Sequence, residues 1–299
     1  MAQQIITVLC EGPHDVSFIS RILKSTGYKS NEAVKIGNYP KPFSALLTNE
    51  AIKTDVEQLN LTELRQNLLP SSVLLKDQNY VFLYSMGGDS KTAARQRILS
   101  ELRGLIVEEG EIIKDRDNDA TIALLYFFDS DQHGVASRLA YINDEIKLAL
   151  PGEVTANLFT NSGERKNVSK LKLGAFIFTS TDNNTGKLED ILVPLMCLGN
   201  EASFAAATSY LSDHYDDDRM FPLKLKIDTT GVIEARSTKA GDKERFDDKK
   251  SLIGTVGQLQ RSGKSNVVCI SDTDYLTLDK IRNSQKCQEI AAFFESFTT

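Results

Sequence analysis

Thr121-Ile122-Ala123-Leu124-Leu125-Tyr126-Phe127-Phe128-Asp129-Ser130-Asp131 is an almost unbroken run of β-favouring apolar residues that stops on two acids. A strand that is apolar on both faces must be covered on both faces, the condition of a central strand in a parallel sheet packed between helices. A stretch of helical character follows, from about Val135 to Leu150. The reading is an α/β fold in which this segment is the central strand.

Three further segments repeat the pattern of an apolar strand, a small or acidic closing turn and a helix. Ile5 to Cys10 leads into Glu11-Gly12-Pro13-His14-Asp15 and a helix to about Thr26, with Pro13 in the first turn and Gly27 at the exit. Tyr80 to Ser85 closes on Met86-Gly87-Gly88, before an amphipathic helix that starts near Asp89 or Ser90 and carries Arg95, Arg97 and Arg103. Leu173 to Thr179 is followed by the turn Asp182-Asn183-Asn184-Thr185-Gly186 and a helix opening with Leu188-Glu189-Asp190. Between the first two units lies an insertion, about 28–78, whose middle reads helical and which would serve as a lid or a dimer surface. The expected organisation is one α/β domain over 1–220 and a mostly helical C-terminal extension over 221–299, either separate or packed on the same domain, with helices near Leu252 to Gln260 and Leu276 to Phe297.

Composition narrows the function. With 299 residues, 41% hydrophobic and 25% charged, the chain has the make-up of a globular protein. Its net charge of -6 and pI near 5.3 argue against coating nucleic acid with the whole surface, so any such contact is local, metal-assisted or supplied by a partner. Cys10, Cys197, Cys269 and Cys287 form no C-x-x-C pair, which suggests neither a zinc knuckle nor a disulfide framework. Ile5 to Cys10 is too short to cross a bilayer and has no basic segment before it, so a cytoplasmic protein without a membrane partner is expected.

Chemistry in such sheets gathers at the carboxyl ends of the strands. There the sequence delivers Glu11 and Asp15, Gly87 and Gly88, Asp129 and Asp131, and Glu189 with Asp190. Clustered carboxylates repel unless a cation neutralises them, and an oxygen-only donor set suits Mg²⁺ or Mn²⁺. Asp15, four residues after Glu11, points back over the first helical turn toward the strand end. Asp129 and Asp131, if extended, share one face with Ser130 turned away.

E-G-x-x-D after the first strand, G-G after the second and D-x-D after the third resemble the motifs of the Toprim fold, a Rossmann-like arrangement shared by topoisomerases, primases, recombination proteins and OLD-type nucleases. The Leu188-Glu189-Asp190-Ile191-Leu192 segment is more similar to the OLD nucleases and to standalone Toprim-related bacterial proteins of the DUF3226 type. The resemblance covers roughly 5–27 and 80–195. It implies that Glu11 is the motif glutamate, that Gly12 lets the loop approach the ion, and that Asp129 and Asp131 bind metal. It further implies that Asp15 and Glu189 complete a site for one or two ions, and that Lys249 or Lys250 stabilises charge, making Lys250 a catalytic candidate beside Glu11, Asp129 and Asp131. Topoisomerase and zinc-dependent primase readings weaken, since no third aspartate extends D-x-D and neither a nucleophilic tyrosine segment nor a zinc ribbon is evident.

Each residue also has a plainer reading. Acids in a first helical turn suit the dipole, Asp129-Ser130-Asp131 can be a turn and N-cap, Gly87-Gly88 can simply end a strand, and the arginines can form a solvated face. His14, His133 and His214 show no ligand spacing and read as surface residues, and Gly263-Lys264-Ser265 lacks the first glycine of a phosphate loop, Gln258 standing in its place. A phosphatase built on D-x-D is disfavoured by His133 two residues beyond Asp131. The expected function is therefore a Mg²⁺- or Mn²⁺-dependent nuclease acting on DNA or RNA, in repair or defence. The competing class is a non-catalytic metal- or nucleotide-binding module that partners an ATPase. Either is compatible with a homodimer.

Overall fold

A segment apolar on both faces needs neighbours on both edges as well, and Thr121–Asp129 (β5) has them: β1 (Gln4–Cys10) on one side and β7 (Leu171–Phe178) on the other, both parallel to it. The computed structural model describes residues 3–41, 43–52, 69–88, 91–106, 120–180 and 184–298. Its main sheet has seven strands in the order β2-β3-β4-β1-β5-β7-β6. Here β2 is Lys29–Ser30, β3 Ser72–Lys76, β4 Asn79–Ser85 and β6 Glu164–Val168. The central strands β4, β1, β5 and β7 run parallel, β3 and β6 are antiparallel partners of β4 and β7, and β2 pairs antiparallel with β3 at the outer edge. This is an α/β protein with a mostly parallel sheet, consistent with a Rossmann-like fold.

Helices flank the sheet. One face carries Ile5, Leu9, Phe82, Leu124, Tyr126 and Phe128 into a core shared with α2 (Phe43–Ile52), α3 (Thr92–Gly104) and α4 (Gly134–Ala149). The opposite face presents Phe127, Phe176 and Phe178, and here α1 (Pro13–Ser25) lies beside the last helices of the chain. Phe127 stacks on Phe294 at 5.2 Å and meets Phe293 edge-on at 5.7 Å. A methyl on Gly174 would sit 2.6 Å from the Phe297 ring, so the glycine is what lets that terminal helix close on the sheet.

The chain divides after Ile191 rather than at the expected 220. Met1–Ile191 and Leu276–Thr299 form the first unit, and Leu192–Tyr275 the second. Helix α5 (Leu188–Cys197) begins in the first and continues into the second, which also holds α6 (Glu201–His214), α7 (Asp248–Gly257) and α8 (Asn266–Asp272). The tail departs from its mostly helical expectation in the hairpin of β8 (Leu223–Asp228) and β9 (Gly231–Arg236). The single helix expected from Leu276 to Phe297 is two, α9 (Leu278–Asn283) and α10 (Gln285–Glu295), parted at Ser284, whose hydroxyl caps α10.

Helix α3 begins at Thr92; Asp89 and Ser90 lie outside the described residues, as do 53–68 of the insertion and Asp182 and Asn183 of the turn. Among the described residues no helix is long and apolar enough to cross a membrane.

Candidate metal centre

Register decides which strand ends meet. Cys10 pairs with Ser85 of β4 and with Phe127 of β5, so the loops leaving β1, β4 and β5 emerge side by side at the carboxyl edge. Glu11 extends the ladder by one bond, donating its N–H to Phe127 O at 3.2 Å, and its Oε2 accepts the Asp129 N–H at 2.9 Å. Backbone and carboxylate of Glu11 are thus both fixed on β5.

Gly87 makes the matching contact from β4. A Cβ there would fall 1.9 Å from the Glu11 carbonyl oxygen, a clash with backbone that no side-chain rotation relieves. Gly87 therefore permits the approach of two loops, which is more than ending a strand. Gly88 takes the left-handed conformation, with φ +80°.

Gly12 caps α1, and its N–H donates to Asp15 Oδ2 at 2.6 Å. Asp15 is 5% exposed, and its Oδ1 accepts no hydrogen bond among the described residues. A buried acceptor left without a donor is costly and invites a cation or water. Asp129 Oδ1 accepts the Leu188 N–H at 2.8 Å, tying β5 to the start of α5.

Asp131 reaches the cluster by a different route from the expected one. The strand ends at Asp129, and Asp131 adopts φ +48°, held by paired backbone bonds with Gly186 at 2.7 and 3.0 Å. Ser130 is not turned away: it is fully buried, and its hydroxyl donates to Phe178 O and Gly186 O at 2.9 and 3.1 Å. Even so, ligand atoms of Glu11, Asp129 and Asp131 all lie within 4.8 Å of one another.

Glu189 joins them from α5. It is 2% exposed, adds to the electrostatic field on Asp15 and Asp129, and lies 3.0 Å from His14 Nδ1. His14 is accordingly part of the site's wall, where a surface residue was expected; its position beside Asp15 in the first turn of α1 was the signal available. Arg138 was missed altogether. Its Nη2 donates to Asp131 Oδ2 at 2.6 Å and its Nε to the Asp129 carbonyl at 2.8 Å.

Asp190 accepts the Lys187 N–H at 2.8 Å, the role of an acid at a helix start. Lys249 and Lys250 lie on α7 in the second unit, where the Lys250 N–H donates to the capping Asp247 at 3.0 Å. Arg95, Arg97 and Arg103 pair with Glu145, Glu50 and Glu153, so none is an unpaired charge on a solvated face. His133 stays exposed at the start of α4, and His214 lies tilted against the Tyr210 ring in the second unit, centroids 4.7 Å apart.

Burial is the main force on the acids, and their mutual repulsion adds to it. Asp15 is pushed up to about 7 by burial and then by Glu11 and Glu189, despite the lowering Gly12 bond. Asp129 is pushed up to about 9 by burial, then by Asp15 and Glu11, against the bond from Leu188. Both folded values exceed the unfolded value of about 3.9, so the stability these groups contribute is fully present below pH 4 and is lost as pH rises through 7 and 9. In EDTA, the melting temperature is expected to fall by roughly 3–8 °C between pH 6 and pH 8.5, about 1–2 kcal/mol for a unit of this size. A flat or rising melting temperature over that interval would contradict the crowding.

An oxygen-only donor set, plus one buried carboxylate oxygen lacking a donor, fits a hard divalent cation better than a thiophilic metal. Compared with protein-family models, curated proteins and solved structures, the chain finds no match in any of the three.

Proposed function

We propose that this protein is a Mg²⁺- or Mn²⁺-dependent phosphodiester hydrolase acting on nucleic acid, of the Toprim kind and closest to the OLD-type nucleases. The observation that carries the reading is the convergence of Glu11, Asp129 and Asp131, ligand atoms within 4.8 Å, from the ends of adjacent parallel strands. The buried Asp15 oxygen without a donor supports it.

Glu11, Asp129 and Asp131 would hold one ion, and Asp15 and Glu189 would extend the set toward a second. A bound ion there supplies a water of lowered pKa and positive charge for the phosphoryl oxygens. Hydrolysis forms a bond from the water oxygen to phosphorus and breaks the P–O ester bond, with a proton ending on the leaving oxygen. Glu11, a half-buried acid crowded by Asp15 and Asp129, is the candidate for taking the water's proton. Gly88, where an added Cβ would meet nothing within 4 Å, keeps the turn beside the cluster free of a side chain where a nucleic-acid backbone would approach.

The test is calorimetric titration with Mn²⁺ at pH 8, combined with cleavage of plasmid and single-stranded DNA with and without EDTA. Saturable uptake of one or two ions, with cleavage that EDTA abolishes, is the expected result. Uptake without cleavage of any nucleic acid would favour the non-catalytic module that partners an ATPase. Absence of uptake would end both readings.

A further inference from the structure

We propose that Arg138 is the phosphate-binding residue of this centre, and that its guanidinium takes a non-bridging oxygen of a phosphate held at the acidic cluster. The proposal rests on the metal-dependent reading above and deepens it, because the resemblance assigned charge stabilisation to Lys249 or Lys250.

Placement is the first argument. Arg138 is on the second turn of α4, and among the arginines considered it alone has as partner a candidate metal ligand, Asp131. Its side chain is 15% exposed, and its guanidinium carbon lies 6.0 Å from the Phe128 ring centroid. The group is therefore held against the end of β5, beside the cluster, while keeping an opening to solvent.

Unspent donor capacity is the second. A guanidinium has five N–H groups in a fixed fork that matches phosphate as well as carboxylate. Here Nε and Nη2 each make one bond, and Nη1 makes none among the described residues. Arg95, by contrast, directs all three of its nitrogens at protein acceptors. One arginine is locked, and the other keeps its Nη1 donors unused among the described residues.

Charge is the third. The cluster places Glu11, Asp15, Asp129, Asp131 and Glu189 in one neighbourhood, which repels a phosphodiester unless cations offset them. Oδ2 of Asp131 is on Arg138, so an ion held by Glu11, Asp129 and Asp131 would share that acid with the guanidinium. A phosphate can then touch both.

The plainer alternative is that Arg138 only buttresses the turn from Asp129 to Asp131. Wild type, Arg138→Gln and Arg138→Lys should be compared for Mn²⁺ affinity, for inorganic phosphate affinity of the Mn²⁺-loaded protein, and for DNA cleavage. The proposal expects Mn²⁺ affinity within about threefold of wild type in Arg138→Gln, phosphate affinity at least tenfold weaker, and kcat/KM down about a hundredfold, with KM and kcat both affected. Arg138→Lys should recover part of the phosphate affinity and about tenfold of the cleavage, and it carries the test alone if Arg138→Gln does not fold. Unchanged phosphate affinity with intact Mn²⁺ uptake overturns this inference and leaves the metal reading standing. Parallel loss of Mn²⁺ and phosphate affinity also overturns it, in favour of the buttress. No Mn²⁺ uptake by wild type removes the metal reading, and this inference with it.

Discussion

Asp129→Asn is expected to abolish metal-dependent cleavage while making the metal-free protein more stable. Asparagine keeps the oxygen that accepts the Leu188 N–H at 2.8 Å, so the tie between β5 and α5 survives. What it removes is a carboxylate whose ionisation is opposed by burial, by Asp15 and by Glu11, and whose pKa is pushed up to about 9. In the unfolded chain the same group ionises near 3.9, so at pH 8.5 folding has to protonate it, and the variant escapes that cost. A gain of about 2 kcal/mol, roughly 4–8 °C in melting temperature in EDTA, is the expected size. Loss of a metal ligand removes several kcal/mol of transition-state stabilisation, and cleavage in Mn²⁺ should drop about a thousandfold. The combination separates the two readings of Asp129, since an ordinary turn aspartate replaced by asparagine, itself a good cap, would change neither quantity. Scanning calorimetry in EDTA and a cleavage assay on one preparation decide it. A variant less stable than wild type that still cleaves DNA would refute the metal-ligand assignment.

The parts of this molecule that sequence discloses are those whose local pattern is also their tertiary demand. β1, β4, β5 and β7 are buried on both faces, so their apolar runs stand out, and the acids that follow them have no packing role to hide behind. The edge strand β6, Glu164-Arg165-Lys166-Asn167-Val168, is as polar as a loop because its exposed side must resist pairing with another chain. The hairpin of β8 and β9 did carry a signal, with Leu223, Leu225 and Ile227 alternating with charged residues ahead of Thr229-Thr230-Gly231.

Within the site, Glu11 and Asp129 follow from strand-end position alone. The extended-pair reasoning for Asp131 fails because the strand stops two residues sooner, and the left-handed turn that replaces it is fixed by Gly186, remote in sequence. Arg138 and His14 stayed hidden for a similar cause: their partners, Asp131 across a turn and Glu189 on another helix, give no local periodicity.

Arg95 shows the same limit most sharply and gives the second large expected effect: Arg95→Met should destabilise the protein by about 3–5 kcal/mol, roughly 6–20 °C for a unit of this size. The helix pattern places Arg95 on a polar face, yet it is 1% exposed and donates to Glu145 on α4 at 2.9 and 2.7 Å. Removing it leaves the Glu145 carboxylate buried and without its charge partner, which costs more than the pair itself contributes. Its Nη1 also donates to Met86 O at 2.7 Å and Gly88 O at 3.0 Å, clamping the turn whose Gly87 presses on the Glu11 carbonyl. Two consequences can therefore be separated by adding Glu145→Leu. The double variant removes the orphaned acid and should regain most of the lost stability, but the Gly87 turn remains unclamped. Its Mn²⁺ affinity is expected to stay about tenfold below wild type, because the Gly87 turn packed against the Glu11 carbonyl is no longer held in place. A double variant that regains both stability and Mn²⁺ affinity would show that the clamp is irrelevant to the acids. A single variant of wild-type stability that merely loses DNA affinity would return Arg95 to the role of guiding a nucleic-acid backbone.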